Sequence, residues 1–380
     1  MRHGLIPTIE DYLGRRARVY GGERALLADV IPPGADGTDR LPELTSLATT
    51  AGVHVLGVTL QHRRRPHPGT FLGRGKADEI RDKAHDLGAD TLILGSAVSP
   101  AQARNLEEAT GLKIIDRSQL ILDIFAQRAG TKEAALAVEL AQLEYLLPRL
   151  RGWGQALTNP GAGIGTSGPG ETRLEQGRRA IRRRIQSVRD DLRKVSQDRV
   201  VQQARRRRVG PPEIALVGYT NSGKSTLFNR LTGCDVLVED KLFATLDTRV
   251  RRVSFPDGDF LLTDTVGFIR DLPHQLVPAF QATLGAVREA AALLFVLDVT
   301  DPAVEQHLRV VREVVAEIME PDSATPPVLH VLNKVDLVCM PDQEARLAAL
   351  QVKAVPCVVL SAKTGLNVTA LAGSVASLLG

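Results

Sequence analysis

Apolar and polar positions follow three different rhythms along this chain. Up to about Gly130, short apolar runs at Ala25–Val30, Val53–Leu60, Thr91–Leu94 and Lys113–Ile115 read as strands. Between and after them, apolar residues three and four apart mark helices at Leu41–Ala51, Lys76–Leu87, Pro100–Thr110 and Ser118–Ala129. Parallel strands need a crossover between them, and a helix is the usual one. The alternation therefore predicts a parallel α/β domain over residues 1–130.

From about Thr131 to Arg208 the period changes. Leu136, Leu140, Leu143, Leu147 and Leu150 are spaced 4, 3, 4, 3, and Ile181, Ile185, Val188, Leu192 and Val195 repeat the spacing. Two such seams predict an antiparallel helical hairpin over residues 131–208. Pro148 is expected to kink or shorten the first arm, because proline lacks an N–H and clashes with the preceding turn. Between the seams, at about 152–170, lie Gly152, Gly154, Gly161, Gly163, Gly165, Gly168 and Gly170, with Pro160 and Pro169. Such a segment cannot build a core and reads as a mobile loop. A hairpin turn needs only a handful of residues, which points to a task at the tip; a passive linker is the alternative. Trp153 could anchor it to the helices.

Residues 209–380 return to strand-helix alternation, with strands at Ile214–Val217, Phe260–Thr263, Leu293–Leu297, Val328–Leu332 and Val358–Leu360. Each strand ends at a residue with chemical meaning, which is where open α/β sheets place their ligands.

Composition narrows the setting. With 380 residues, 43% hydrophobic and 24% charged, the chain can bury two or three cores and is neither disordered nor fibrous. Its longest apolar run, Ala290–Leu297, is eight residues, far short of the roughly 18 a membrane helix needs. Glu10 and Asp11 follow closely on Arg2, so a secretory signal is not expected. Cys234, Cys339 and Cys357 are far apart and show no metal-ligand spacing, which suits a reducing, cytoplasmic home. No dimer interface is evident, and a free monomer is expected.

Charge is informative by its placement. The net charge is only +4, yet Arg173–Arg208 holds fourteen Lys and Arg against four Asp and Glu. A surplus of ten in one helix suggests contact with a polyanion there. Arg178, Arg179, Arg182 and Arg183, with loop residues Gly163, Gly165, Gly168 and Gly170, are the candidate RNA contacts. Aromatic residues make up only 4% of the chain, so the phosphate backbone is a better target than stacked bases. The competing reading is a solvated helix face.

The sharpest chemistry lies in the last block. Gly218-Tyr219-Thr220-Asn221-Ser222-Gly223-Lys224-Ser225 fills every fixed position of a phosphate-binding loop, after a strand and before a helix starting near Thr226. Glycines let backbone N–H groups close around phosphate oxygens, and the helix N-terminus adds a positive field. Lys224 is expected at the β- and γ-phosphates, and the Ser225 hydroxyl on Mg2+. Asp264-Thr265-Val266-Gly267 closes the next apolar strand. There Asp264 can hold Mg2+ through water, and the Gly267 N–H can sense the γ-phosphate. Between the two motifs stands Phe243-Ala244-Thr245-Leu246-Asp247. Thr245 is the favoured switch threonine for Mg2+ and γ-phosphate, with Thr248 the competitor.

Asn333-Lys334-Val335-Asp336 selects the base. The Asp336 carboxylate only accepts hydrogen bonds, so it suits the two donors on guanine N1 and N2 and leaves adenine unmatched. Asn333 can brace neighbouring loops or the base, and the Lys334 stem can lie along the base plane. Ser361-Ala362-Lys363 would bring a backbone N–H near guanine O6. Directly after Gly267 stands Phe268, where many GTPases carry a water-orienting glutamine. An apolar ring cannot align water, so intrinsic hydrolysis is expected to be slow and to need help from another residue or from a bound partner.

With these motifs the chain resembles the HflX family of ribosome-associated GTPases. The resemblance rests on Gly218–Thr226, on Leu242–Asp247, on Asp264–Pro273 and on Gly163–Thr172 in the hairpin loop. It covers almost the whole chain in the family's order of α/β domain, helical hairpin and GTPase domain. It implies a factor that binds the large ribosomal subunit in its GTP state and acts in splitting, rescue or biogenesis, with the basic hairpin on ribosomal RNA. Three departures stand out. Ser167 replaces a frequent basic residue, Thr248 a frequent proline, and the C-terminal extension of some members is not expected here.

Gly73-Arg74-Gly75-Lys76 resembles a short phosphate loop but lacks the full spacing and the following Ser or Thr. A helix start with a phosphate-contacting lysine is the better reading. Two rival functions remain: a GTP-regulated protein-interaction switch without ribosome binding, and an RNA remodeller with an N-terminal ATPase activity.

Overall fold

The computed structural model describes residues 22–34, 40–150, 169–234, 242–243, 248–255, 258–270, 285–319 and 325–379, with backbone alone at 169–174 and 198–209. The chain forms two compact units. One comprises residues up to Gln127 together with Leu136–Leu192, the other Arg128–Ala135 together with Arg193 onward.

In the first unit the order is β1 (Arg24–Ile31), α1 (Arg40–Thr50), β2 (His54–His62), α2 (Arg74–Leu87), β3 (Thr91–Leu94), α3 (Pro100–Thr110) and β4 (Lys113–Asp116). The strands lie in the order β2-β1-β3-β4, and every pair is parallel, as the alternation predicts. Leu26, Ala28, Leu92, Leu94 and Ile114 from the sheet pack on Ile80, Ala84 and Leu106 from the helices. Local chemistry sets the helix bounds: Ser99 and Gln102 form a reciprocal capping box before α3, Pro100 takes its first turn, and Gly111 ends it at φ 71°.

Helix α4 (Arg117–Arg128) follows β4 directly, then come α5 (Lys132–Arg149) and α6 (Pro169–Val209). Pro148 sits in the last turn of α5, which stops one residue later. The start of α6 corrects one expectation. Pro169 and Gly170 lie in the helix rather than in the glycine-rich loop. Proline suits a first helical position, where its missing N–H is not needed. The rest of the glycine-rich segment, including Trp153, Gly163, Gly165 and Gly168, lies outside the described residues.

The hairpin seam is as the spacing implies. Leu140, Leu143, Leu150, Ile181, Ile185 and Val188 are buried together, with Leu136, Leu147 and Leu192 against them. Val195, the last predicted seam position, is outside that cluster. Across the seam Arg184 grips Glu139 through two bonds of 2.6 and 2.8 Å, and Arg189 meets Glu144 at 2.7 Å.

In the second unit the elements are β5 (Glu213–Gly218), α7 (Lys224–Thr232), β6 (Arg249–Phe255), β7 (Gly258–Asp264), β8 (Ala292–Asp298), α8 (Val304–Ile318), β9 (Val328–Asn333), α9 (Pro341–Lys353), β10 (Cys357–Val359) and α10 (Val368–Leu379). The sheet runs β10-β9-β8-β5-β7-β6, parallel except for β6, which pairs antiparallel with β7. Strand β6 is not legible in the apolar pattern. Arg249, Arg251 and Arg252 break it up, which an edge strand tolerates because only one side is paired. Ile214, Leu216, Leu262, Leu294, Val296 and Val331 form the core with Phe228 and Leu371. Among the described residues no helix is long and apolar enough to cross a membrane.

Candidate nucleotide-binding site

The phosphate-loop motif occupies the turn from β5 to α7, at the carboxyl edge of the sheet. Gly223 caps the helix at φ 95°, and a side chain there would place its Cβ 2.3 Å from Asn333 Nδ2. Asn221 also takes a left-handed conformation at φ 61°. Ser222 Oγ is buried and has no hydrogen-bond partner among the described residues. Thr226 continues into α7.

Lys224 is 5% exposed, and its ammonium donates to the carbonyls of Gly218 at 3.2 Å and Tyr219 at 2.8 Å. Burial pushes this lysine down to about 8; the Asp264 carboxylate opposes the shift and the Lys334 ammonium adds to it. A buried cation whose hydrogen bonds among the described residues go to two carbonyls is suited to receive an anion. Ser225 Oγ donates to Asp264 Oδ2 at 2.8 Å. A hydroxyl and a carboxylate within reach of each other, beside a phosphate loop, form a hard-oxygen pair fit for Mg2+. Among the described residues no group of three His, Cys, Asp or Glu side chains converges, so a metal here would depend on non-protein oxygens as well.

After Asp264, the buried Thr265 and Val266 carry the chain to Gly267. A Cβ at Gly267 would fall 2.6 Å from Thr220 Cα and 3.0 Å from Lys224 Nζ, so only glycine lets this peptide approach the loop so closely. Phe268 is 3% exposed and its backbone is locked: its N–H donates to Gly218 O at 3.0 Å and its carbonyl accepts from Thr220 N at 2.8 Å. Its ring offers no polar atom to a water molecule. From the segment between the motifs, Phe243 is buried and its N–H donates to Thr220 Oγ1 at 3.0 Å. Ala244 and Thr245 lie outside the described residues.

The base motif follows β9. Asn333 is a brace between loops: its Nδ2 donates to Ser222 O and its Oδ1 accepts from Ala362 N, both at 2.9 Å. One buried amide thereby ties the phosphate loop to the Ser361-Ala362-Lys363 loop. Lys334 turns at φ 67° and its ammonium pairs with Asp298 Oδ2 at 2.7 Å. Asp336 lies exposed in the single 3-10 turn Val335–Leu337. Ser361 and Ala362 are buried while Lys363 is exposed.

Four contacts here were not legible in the sequence. Tyr219 stacks on His307, and its hydroxyl accepts from Arg270 N at 3.0 Å. His307 Nδ1 lies 3.1 Å from Asp301 Oδ2. Burial would raise the Asp301 carboxyl, but hydrogen bonds from His307 and the Ala303 N–H bring it below its ordinary value. Arg230 reaches the Ser361-Ala362-Lys363 loop. The polar Asp298-Val299-Thr300-Asp301 run at the end of β8 was the available signal for part of this.

At Gly73–Lys76 the expected helix start is present, with Gly73 as the cap of α2. Lys76 pairs with Glu79 at 2.6 Å. On α6, Arg179, Arg182 and Arg183 are exposed and Arg178 is half-buried.

Three family models match the chain in sequence: GTP-binding GTPase N-terminal over 38–126, GTP-binding GTPase Middle Region over 128–206, and 50S ribosome-binding GTPase over 213–334. The chain is 47% identical over 316 residues to GTPase HflX of Caldanaerobacter subterraneus subsp. tengcongensis, covering 83% of this chain and 73% of that one. It is 45% identical over 356 residues to GTPase HflX of Escherichia coli, covering 93% and 82%. Among solved structures it is similar to SsGBP, crystallised as a complex with GDP, at 25% identity and a TM-score of 0.52, covering 94% of this chain and 98% of that one.

Proposed function

The chain belongs to the HflX family of GTPases, and from that premise we propose that it is a GTP-dependent factor of the large ribosomal subunit. It is a GTP-binding GTPase of the 50S ribosome-binding type. Ribosome splitting, rescue or biogenesis is the proposed task, in the cytoplasm.

The observation that carries the nucleotide reading is the Asn333 brace, which joins the phosphate loop to the base-edge loop in one rigid frame. In this reading Lys224 trades its two carbonyls for the β- and γ-phosphate oxygens, and buried charge there stabilises the charge that builds up on transfer. Ser225, Asp264 and Thr245 would hold Mg2+, which supplies charge neutralisation to the phosphates when bound. The Gly267 N–H reads the γ-phosphate. Asp336 accepts from guanine N1 and N2, and the Lys334 stem, steadied by Asp298, covers the base plane.

Phe268 is buried and tied to the phosphate loop through its backbone, so this chain has no polar side chain at the usual water-orienting position. Intrinsic hydrolysis is therefore slow, and the ribosome stimulates it. Loss of the γ-phosphate frees Thr245 and Gly267, loosens the switches and releases the factor. The exposed arginines of α6 support contact with ribosomal RNA.

GTP turnover of the purified protein with and without large subunits tests this reading, alongside sedimentation with subunits in a GTP analogue and in GDP. Stimulated turnover and analogue-dependent binding are expected. Equal binding in both nucleotides overturns a nucleotide-gated factor. Partner binding that survives RNase favours the protein-interaction switch, and ATPase activity that survives Asp336→Ala favours the N-terminal remodeller.

A further inference from the structure

Arg230 stands in the last turn of α7, the helix that grows out of the phosphate loop. Its Nε donates to Ala362 O at 3.1 Å and its Nη2 donates to Lys363 O. Gly365, which closes the same loop at φ 89°, lies with its Cβ direction 3.8 Å from the guanidinium. Among the described residues no carboxylate pairs with Arg230. A rigid five-donor fork is thus spent on two successive carbonyls of the loop beside the base motif.

The consequence follows from peptide geometry. Among the described residues the only cis peptide is Val355-Pro356, so the Ala362-Lys363 bond is trans and planar. In such a unit the N–H points opposite to the C=O. Holding Ala362 O on Arg230 therefore turns the Lys363 N–H to the other side. The neighbouring donors are already used: Ala362 N on Asn333 Oδ1 at 2.9 Å, Thr364 N on Ser361 Oγ at 3.1 Å, and Gly365 N on Ser361 O at 2.9 Å. The Lys363 N–H has no acceptor among the described residues. It is the one backbone N–H of residues 361–365 without an acceptor among the described residues, in a loop whose first two residues are 0% and 2% exposed.

We infer that Arg230 is a specificity-determining positioning residue: it aims the Lys363 N–H at the carbonyl oxygen on carbon 6 of the purine. The inference rests on the guanine reading of the Asn333–Asp336 motif. Guanine presents an acceptor at carbon 6, whereas adenine presents an amino group, and two donors face to face repel. Asp336 and Lys363 would then read neighbouring positions on one edge of the ring, the first at N1 and N2 and the second at the carbon-6 oxygen, and Arg230 supports only the second.

A ligand that lacks the carbon-6 oxygen separates this role from a general one. Affinities for GDP and for 2-aminopurine riboside diphosphate are measured on the full chain with wild type, Arg230→Met and Arg230→Lys. Arg230→Met is expected to weaken GDP about tenfold, the worth of one well-placed hydrogen bond, and the analogue less than twofold. Arg230→Lys, which keeps the cation but not the fork, is expected to fall between. Equal losses for both ligands, or none for GDP, overturn the inference. If Arg230→Met does not fold, the Lys363 amide resonance of wild type decides: it should move on binding GDP and not on binding the analogue. An amide that responds alike to both ligands overturns it. A wild type that binds ADP as well as GDP sinks the guanine reading itself, a result distinguishable from failure of the Arg230 role.

Discussion

The rings of Tyr219 and His307 lie 3.6 Å apart with their planes 9° from parallel. Tyr219 belongs to the phosphate loop, and its hydroxyl holds the N–H of Arg270, three residues beyond Gly267. His307 belongs to the first turn of α8. One side chain therefore links the phosphate loop, the segment after the switch glycine and helix α8. His307→Ala removes the platform under Tyr219. The preference for a GTP analogue over GDP should fall about two- to tenfold, the range for one aromatic contact. Fluorescent-nucleotide titrations measure it, and an unchanged ratio would show that the stack is only packing.

Lys224 gives a pH dependence with a definite sign. Burial lowers it from 10.5 to about 8 in the folded protein. Between those values the unfolded chain holds a proton that the folded chain lacks. The contribution of this group to stability therefore rises as pH increases through the window, and below about 8 its full burial penalty is present. Phosphate needs the charged lysine. GDP affinity should fall by up to about tenfold per pH unit above this point, with proton uptake on binding. Calorimetry at alkaline pH in two buffers of different ionisation enthalpy checks the uptake; identical heats would contradict it.

The basic arm is not uniformly available. Arg184 and Arg189 are engaged by Glu139 and Glu144, while Arg182 and Arg183 are exposed. Arg182→Glu with Arg183→Glu should weaken large-subunit binding and flatten its salt dependence by roughly one in slope per lost phosphate contact. Arg184→Gln should leave the slope nearly as it is and instead loosen the hairpin. Binding measured across a salt series separates the two, and identical slopes for both variants would refute the division.

Asp116 at the end of β4 is 2% exposed and gathers Val98 N, Gln119 N, Tyr145 Oη and Arg149 Nη2. Burial first, then the Asp116 charge, pushes the Tyr145 hydroxyl well above its usual range, so it stays a donor. Asp116→Ala leaves the half-buried Arg149 guanidinium and the buried Tyr145 hydroxyl without their shared carboxylate. It should cost the first unit about 3 kcal/mol, and Asp116→Asn less, because an acceptor remains. Chemical denaturation followed by a probe in that unit measures the loss, and a change under about 0.5 kcal/mol would remove Asp116 from the list of structural keystones.

Much of this molecule is local information. The parallel sheets could be read from apolar runs bounded by helices, and the hairpin seam from Leu136–Leu150 and Ile181–Leu192, because burial on one face imposes a period on neighbouring residues. The phosphate loop was equally legible, since its shape depends on backbone freedom at fixed positions such as Gly223. Strand β6 was not, because an edge strand rich in arginine carries no apolar period. The helical start at Pro169 was hidden by its glycine neighbours.

The chain's order of residues thus determined its α/β units, its helical pair and its nucleotide motifs. Only tertiary structure decided that Asn333 would bridge Ser222 to Ala362 across 111 and 29 residues, that Tyr219 would rest on His307, and that Arg230 would hold a loop 132 residues away. Periodicity reports which face of an element is buried. It does not report which polar groups from distant elements meet at the strand ends, and those meetings set the direction of each donor around the nucleotide site.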